Sequence, residues 1–144
     1  MAGPVVLLAV AGCTGNAADR PAPGTSRAGA VAGCVDVTGL DAAASGNVRA
    51  GPFQANRGRW TAAAGAKLWV GSTRAAAIPT GAVIRASRVD GAGQPLTLRR
   101  GPAERAKVDT MPVFYPGLIR LPTAGQWRLE ITVDAERGCF VLRA

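Results

Sequence analysis

The last twenty residues, Gly125 to Ala144, constrain the fold more tightly than any other stretch. Trp127, Leu129, Ile131 and Val133 alternate with Arg128, Glu130, Thr132 and Asp134. A period of two puts the first set on one face of a strand and the second set on the other. Asp134 to Gly138 then supplies turn residues, and Cys139, Phe140, Val141 and Leu142 read as the returning strand. The chain therefore closes on a β-hairpin with one apolar face and a cysteine in its second strand.

Upstream, short apolar runs are separated by turn chemistry. Nineteen glycines and ten prolines fall between these runs, and both residues oppose helix interiors. Cys34 to Val37 reads as a first strand ended by Thr38-Gly39. Leu40 to Ala66 is rich in alanine and glycine and predicts irregular structure. Asp41 to Ala44 could form one helical turn there, and a strand could lie near Trp60. Lys67 to Gly71 and Ala82 to Val89 read as strands. Asp90 to Gly93 is a turn, with Leu96 to Leu98 returning from it. Arg99 to Asp109 reads as a charged loop. Pro112 and Pro116 bracket Val113-Phe114-Tyr115, which predicts an edge strand or a covering loop, and Leu118 to Leu121 is a further short strand. The expected fold is all-β: an immunoglobulin-like antiparallel β-sandwich of about seven short strands over residues 34–144. Trp60, Trp69 and Trp127 are expected in its core.

Leu121-Pro122-Thr123-Ala124-Gly125-Gln126-Trp127-Arg128-Leu129, followed by Gly138-Cys139-Phe140-Val141-Leu142, resembles the end of small secreted or lipid-anchored immunoglobulin-like domains of actinobacteria and related bacteria. Lys67-Leu68-Trp69-Val70-Gly71 resembles their earlier Leu-Trp-Val segment. The resemblance covers about half the chain. It implies a fold and a surface location, and it carries no functional residues. Some similar sandwiches bind copper through His and Met, but this chain has no His and only Met1 and Met111.

The N-terminus points the same way. Val5 to Gly12 is a short apolar run, and Val10-Ala11-Gly12-Cys13 resembles a bacterial lipobox, in which the cysteine becomes the acylated mature N-terminus. The run is too short to span a bilayer as a helix. It departs from the usual signal in having no basic residue among Met1 to Pro4; either the start codon lies upstream or the signal is atypical, and the bland alternative is an apolar N-terminus with an incidental Val-Ala-Gly-Cys. Residues 1–12 are thus expected to be a signal peptide and residues 13–33 a lipid-anchored flexible linker. Thr14 to Ala32 has the Gly, Ala, Pro, Ser and Thr content of a linker. It would reach about 60 Å fully extended and about 24 Å as a flexible coil. Two or more acyl chains on Cys13 would hold the domain at the membrane.

With Cys13 assigned to lipid, Cys34 and Cys139 remain. First and last strands are often neighbours in a sandwich, so a disulfide between them is the expectation, and an oxidising compartment follows from it. The alternative is two buried free thiols.

Histidine is absent, which removes Ser-His and Cys-His catalysis. No calcium loop, phosphate loop or dinucleotide fingerprint occurs, so no cofactor, metal or enzymatic activity is expected. The formal charge is +8, with fifteen arginines and two lysines. Basicity of this size favours anionic surfaces without naming one, and part of it fits the codon usage of a GC-rich genome. Arg99, Arg100, Arg105 and Lys107 are candidates for binding phospholipid headgroups or phosphate-bearing envelope polymers; a merely solvated basic face is the bland alternative. Arg57, Arg59, Arg85 and Arg88 are secondary candidates. Nucleic acid is not an expected partner, because no aromatic stacking platform accompanies the arginines. The reading is a non-catalytic envelope lipoprotein on the extracytoplasmic face of the cell membrane, with an accessory or structural subunit of an exporter or envelope complex as the alternative and a small hydrolase the least favoured.

Overall fold

The computed structural model describes residues 33–74, 76–108 and 111–144. The signal-peptide, linker and Cys13 expectations lie outside these residues. Ten strands pack as two five-stranded sheets, with no α-helix among the described residues. The front sheet has the order β1-β10-β9-β5-β6, formed by β1 (Val35–Asp36), β10 (Glu136–Arg143), β9 (Gln126–Val133), β5 (Ala82–Arg88) and β6 (Leu96–Arg100). The back sheet has the order β2-β3-β4-β8-β7, formed by β2 (Ala43–Ser45), β3 (Val48–Gly51), β4 (Ala66–Ser72), β8 (Met111–Ile119) and β7 (Ala106–Val108). The chain crosses between sheets at β1–β2, β4–β5, β6–β7 and β8–β9. This is the Greek-key path of an immunoglobulin-like sandwich, so the expected fold class holds.

The core is built from the inner phase of each strand. Trp127, Leu129, Ile131 and Val133 of β9 and Phe140 and Leu142 of β10 are buried. They face Leu68 and Val70 of β4 and Val113, Tyr115 and Ile119 of β8, which are buried too. Each fully buried aliphatic or aromatic side chain contributes about 1.5–3 kcal/mol. Because the side-chain period is two, a one-residue slip of β9 would exchange its whole apolar set for Arg128, Glu130 and Thr132.

Four local expectations need correction. The Leu40–Ala66 stretch holds no strand at Trp60 and no helical turn at Asp41. It holds instead a hairpin of β2 and β3 around Gly46-Asn47, followed by a 3-10 turn at Gln54–Asn56. Strands of three and four residues are too short to show a period. The rest of the stretch is ordered by side chains: Asn56 Nδ2 donates to Pro52 O at 2.6 Å and Lys67 O at 2.5 Å, and Phe53 stacks obliquely on Trp60 and Phe140.

Second, β8 is neither an edge strand nor a loop. It runs unbroken through both prolines and lies between β4 and β7. Pro116 pairs with Trp69, but its carbonyl accepts from Arg100 Nε at 3.3 Å. Its polar groups therefore turn away from β4, and the missing N–H breaks no bond of that ladder. Leu118 and Ile119 belong to this same strand.

Third, the charged loop begins later than expected and contains structure: β6 extends through Arg100, a 3-10 turn spans Pro102–Glu104, and β7 follows. Fourth, the terminal turn is only Asp134-Ala135, because Glu136 already pairs with Val133.

Asp134 has φ +52° and is 8% exposed. Its Oδ1 accepts from the backbone N–H groups of Thr80 at 2.8 Å and Gly81 at 3.0 Å and from the Tyr115 hydroxyl at 3.2 Å. One carboxylate oxygen thus ties the hairpin tip to the start of β5 and to the opposite sheet.

Not every strand pair is antiparallel. β1 runs parallel to β10, with Val35 opposite Phe140 and Asp36 opposite Val141. One residue back along both strands, Cys34 lies beside Cys139, and the two form a disulfide with Cα atoms 4.6 Å apart. That distance is the ordinary spacing of neighbouring strands.

Two measurements follow. The bridge spans 105 residues, so reduction lowers stability by up to about 4–5 kcal/mol in the chain-entropy picture. Urea unfolding with and without reductant reads this, and two alkylatable thiols at Cys34 and Cys139 in non-reduced protein would refute the bridge. Tyr115 is the single tyrosine of the chain. Burial first, and Asp134 second, hold its pKa above the ordinary 10.0. Its phenolate absorbance should therefore rise at higher pH in the native protein than in the unfolded one. Asp134→Asn should bring the two closer. Because the folded pKa is the higher one, the linked stability is complete below about pH 10 and fades as pH rises above it.

Candidate anion-binding face

The polar phase of the front sheet carries its charge. Alternation turns Arg85 of β5, Arg99 of β6, Arg128 of β9 and Arg137 and Arg143 of β10 toward solvent, with Glu130 and Asp36 the carboxylates in the same phase. Register arranges these positions in rows. Arg99, Val83, Thr132 and Arg137 form one row across four strands. Thr97, Arg85, Glu130 and Cys139 form the next. Strand spacing places the ends of the first row about 14 Å apart. Its centre is small, so Val83 and Thr132 floor a shallow basin of about 540 Å³ bordered by Arg85, Glu130 and Arg137.

Arg85, Arg99, Arg137 and Arg143 are exposed. Arg128 is more engaged: its guanidinium lies 3.5 Å from Glu130, a contact with about half of each side chain in water. Such pairs contribute little to stability, but this one offsets part of the carboxylate's charge in the basin. An extended polyanion crossing the sheet would meet Arg99, Arg85 and Arg137 in turn.

Of the four basic residues singled out in sequence, Arg99 and Arg100 do not share one surface. Arg99 joins the front face. Arg100, its neighbour on a strand, points the opposite way. It faces the open edge between the sheets, where Nε donates to Pro116 O and the guanidinium lies 3.5 Å from Glu104. Arg105 follows the 3-10 turn and is half-buried. Lys107 is carried by β7 into the back sheet. The expected cluster assumed a loop; a strand period of two and a crossover between sheets disperse it. Arg57 and Arg59 are exposed on the connection before β4, and Arg57 borders a cleft at the end of β10 that Arg143 also lines.

Arg85 and Arg88, paired in the sequence reading, also separate. Arg88 is structural. It forms a two-pronged ion pair with Asp90, donates to Thr123 Oγ1 at 3.1 Å and to Ala124 O at 2.5 Å, and lies 6.0 Å from the Trp127 ring centroid. A Cβ on Gly125, which has φ +135°, would come within 2.8 Å of that guanidinium, so only glycine admits the contact. The Arg88 hydrogen bond, followed by one from the Ala92 backbone, holds the Asp90 carboxyl down at about 2, and Asp90 in turn raises the Arg88 pKa.

Arg128, Arg137 and Arg143 were not among the sequence candidates. Their signal was available in the polar phase of the terminal hairpin. Trp60 and Trp127 are core side chains as expected, whereas Trp69 is half-buried on the outer side of β4.

Among the described residues no group of three or more His, Cys, Asp or Glu side chains could hold a metal ion, and both cysteines are engaged in the bridge. No helix among them is long and apolar enough to cross a membrane. No protein family, no curated protein and no solved structure matches the chain.

The two kinds of arginine should separate in a stability measurement. Arg85→Ala and Arg137→Ala change unfolding free energy by less than about 0.5 kcal/mol, as exposed substitutions do. Arg88→Ala leaves Asp90 without its partner, and its carboxyl then titrates nearer the ordinary range around 3.9. NMR of the Asp90 side chain reads that shift, and an unmoved carboxyl in Arg88→Ala would overturn the assignment.

Proposed function

We propose that this chain is a non-catalytic lipoprotein of the cell envelope. Acyl chains on Cys13 hold it on the extracytoplasmic face of the cell membrane, and its immunoglobulin-like domain binds an anionic envelope polymer through the front sheet. The observation that carries the reading is the front-face arrangement of five outward arginines against two carboxylates, with Arg85 and Arg137 bordering an open basin and Arg99 at the end of the row that crosses it. The Cys34–Cys139 disulfide supports an oxidising compartment. Fifteen cations among seventeen being arginine suits phosphate-bearing partners, because the planar guanidinium can donate two parallel hydrogen bonds to one phosphate.

The sheet supplies a fixed frame for this binding. The arginines stand on β-strands whose register is set by the core, so the spacing of their Cα positions does not change when a ligand arrives. Their heads stay solvated, which makes the attraction long-ranged and sensitive to salt. Recognition of this kind favours a repeating polyanion over one small ligand, since the basin beside Arg85 and Arg137 is open to solvent.

Binding of the full chain to sodium polyphosphate tests the face. Arg85→Glu combined with Arg137→Glu should weaken binding roughly tenfold at low salt, with the difference shrinking as salt rises. A double variant that binds like the parent chain sinks the polymer reading. The anchor is tested separately: palmitate labelling in the bacterial host should vanish in Cys13→Ser, and labelling that persists sinks the lipoprotein reading.

A further inference from the structure

The outer face of the back sheet has a character opposite to that of the front sheet. Its outward phase reads Arg49 and Gly51 on β3, Lys67, Trp69 and Gly71 on β4, and Phe114, Pro116 and Leu118 on β8. Register sets them in three rows: Arg49, Gly71 and Phe114; Gly51, Trp69 and Pro116; Lys67 and Leu118. The centre is apolar and the flanks are cationic. No carboxylate occupies a described outward position of β3, β4 or β8.

These apolar groups are accessible. Leu118 is 50% exposed, Pro116 is exposed, and Trp69 and Phe114 are half-buried. A shallow groove of about 500 Å³ runs past Pro52, Trp69, Phe114, Pro116 and Leu118. Trp69 lies low across β3. A Cβ on Gly51 would come within 2.9 Å of its Cζ2, so glycine lets the indole rest on the backbone. Arg100 stands at the groove's edge.

We propose that this back face docks on the anionic surface of a lipid bilayer, with Trp69, Phe114 and Leu118 entering the headgroup region and Arg49 and Lys67 resting on lipid phosphates. Charge complementarity selects this occupant. An apolar centre with Arg49 and Lys67 in its outward rows, and with Glu104 paired to Arg100 at its edge, matches an interface that is apolar below and anionic above. Indole suits that depth, since its ring is apolar and its N–H finds a headgroup acceptor. Long basic side chains lie along the apolar surface while their heads reach the phosphates. The proposal deepens the membrane-anchored reading and rests on it for location: the bilayer holding the anchor would also orient the domain, leaving the front-face arginines turned outward to the polymer. Gly33, the first described residue, and Ser45 of β2 border the same basin.

The contact is testable without the acyl group. The full chain carrying Cys13→Ser, with Arg85→Glu and Arg137→Glu added to remove front-face attraction, is mixed with vesicles of equal parts phosphatidylglycerol and phosphatidylcholine. It should co-sediment with them, and Leu118→Glu should weaken this by about tenfold, the effect of replacing an inserted apolar group with a charge. Lipids brominated in their acyl chains should quench tryptophan emission in this chain and not after Trp69→Phe, because Trp60 and Trp127 are buried. Absence of vesicle binding in this background overturns the proposal. So does binding indifferent to Leu118→Glu, or a dimer in lipid-free solution that Leu118→Glu disrupts, which would assign the face to a second copy of the chain. Failure here leaves palmitate labelling unchanged, so it is distinguishable from failure of the anchor itself.

Discussion

The structure depends on the burial of one phase of the β9–β10 hairpin. Trp127, Leu129, Ile131, Val133, Phe140 and Leu142 supply much of the inner surface of the front sheet. β9 is the central strand of that sheet, paired along most of its length on both sides. Its register therefore sets the register of β5 and β10, and through them the positions of β6 and β1. The disulfide follows from this order, because Cys34 meets Cys139 only when β1 lies alongside β10 with Val35 opposite Phe140.

Two buried polar side chains hold the less regular parts to this frame. Asp134 gathers two backbone N–H groups and the Tyr115 hydroxyl onto one oxygen, joining the hairpin tip to both sheets. Asn56 performs the same work at the other irregular segment, donating to two carbonyls that have no strand partner there. Buried polar atoms are costly when unpaired and specific when paired, so each of these residues selects one arrangement of a connection that apolar packing alone would leave loose.

The same alternation that builds the core sorts the surface. A strand that buries every second residue must expose the others, and here the exposed phases differ between sheets. The front sheet presents arginines around a small-residue basin. The back sheet presents Trp69, Phe114, Pro116 and Leu118 between Arg49 and Lys67. Two faces on opposite sides of a thin sandwich give the domain a direction: one side is lined by arginines, the other is apolar between cations. A net charge of +8 does not convey this, because it averages over both faces and over arginines such as Arg88 and Arg100 that are spent on internal contacts.

What was legible in the sequence was whatever repeats locally. The period-two pattern of residues 126–133, the Leu68 and Val70 phase of β4, the strand at Ala82 and the turn at Asp90 were readable because each is a local pattern of side chains against backbone direction. The all-β class and the cysteine pairing followed from them. The β2–β3 hairpin was too short to show a period, and β8 was hidden by prolines whose missing N–H groups matter only when the strand's neighbours are known. The basic stretch divides for a related reason: Arg99 and Arg100 are adjacent in sequence, so on a strand they must diverge. The sequence by itself determined which residues alternate and which can bridge. Only the tertiary structure decided which phases share a face, because that depends on strand order and register, and these arise from contacts between residues far apart in the chain.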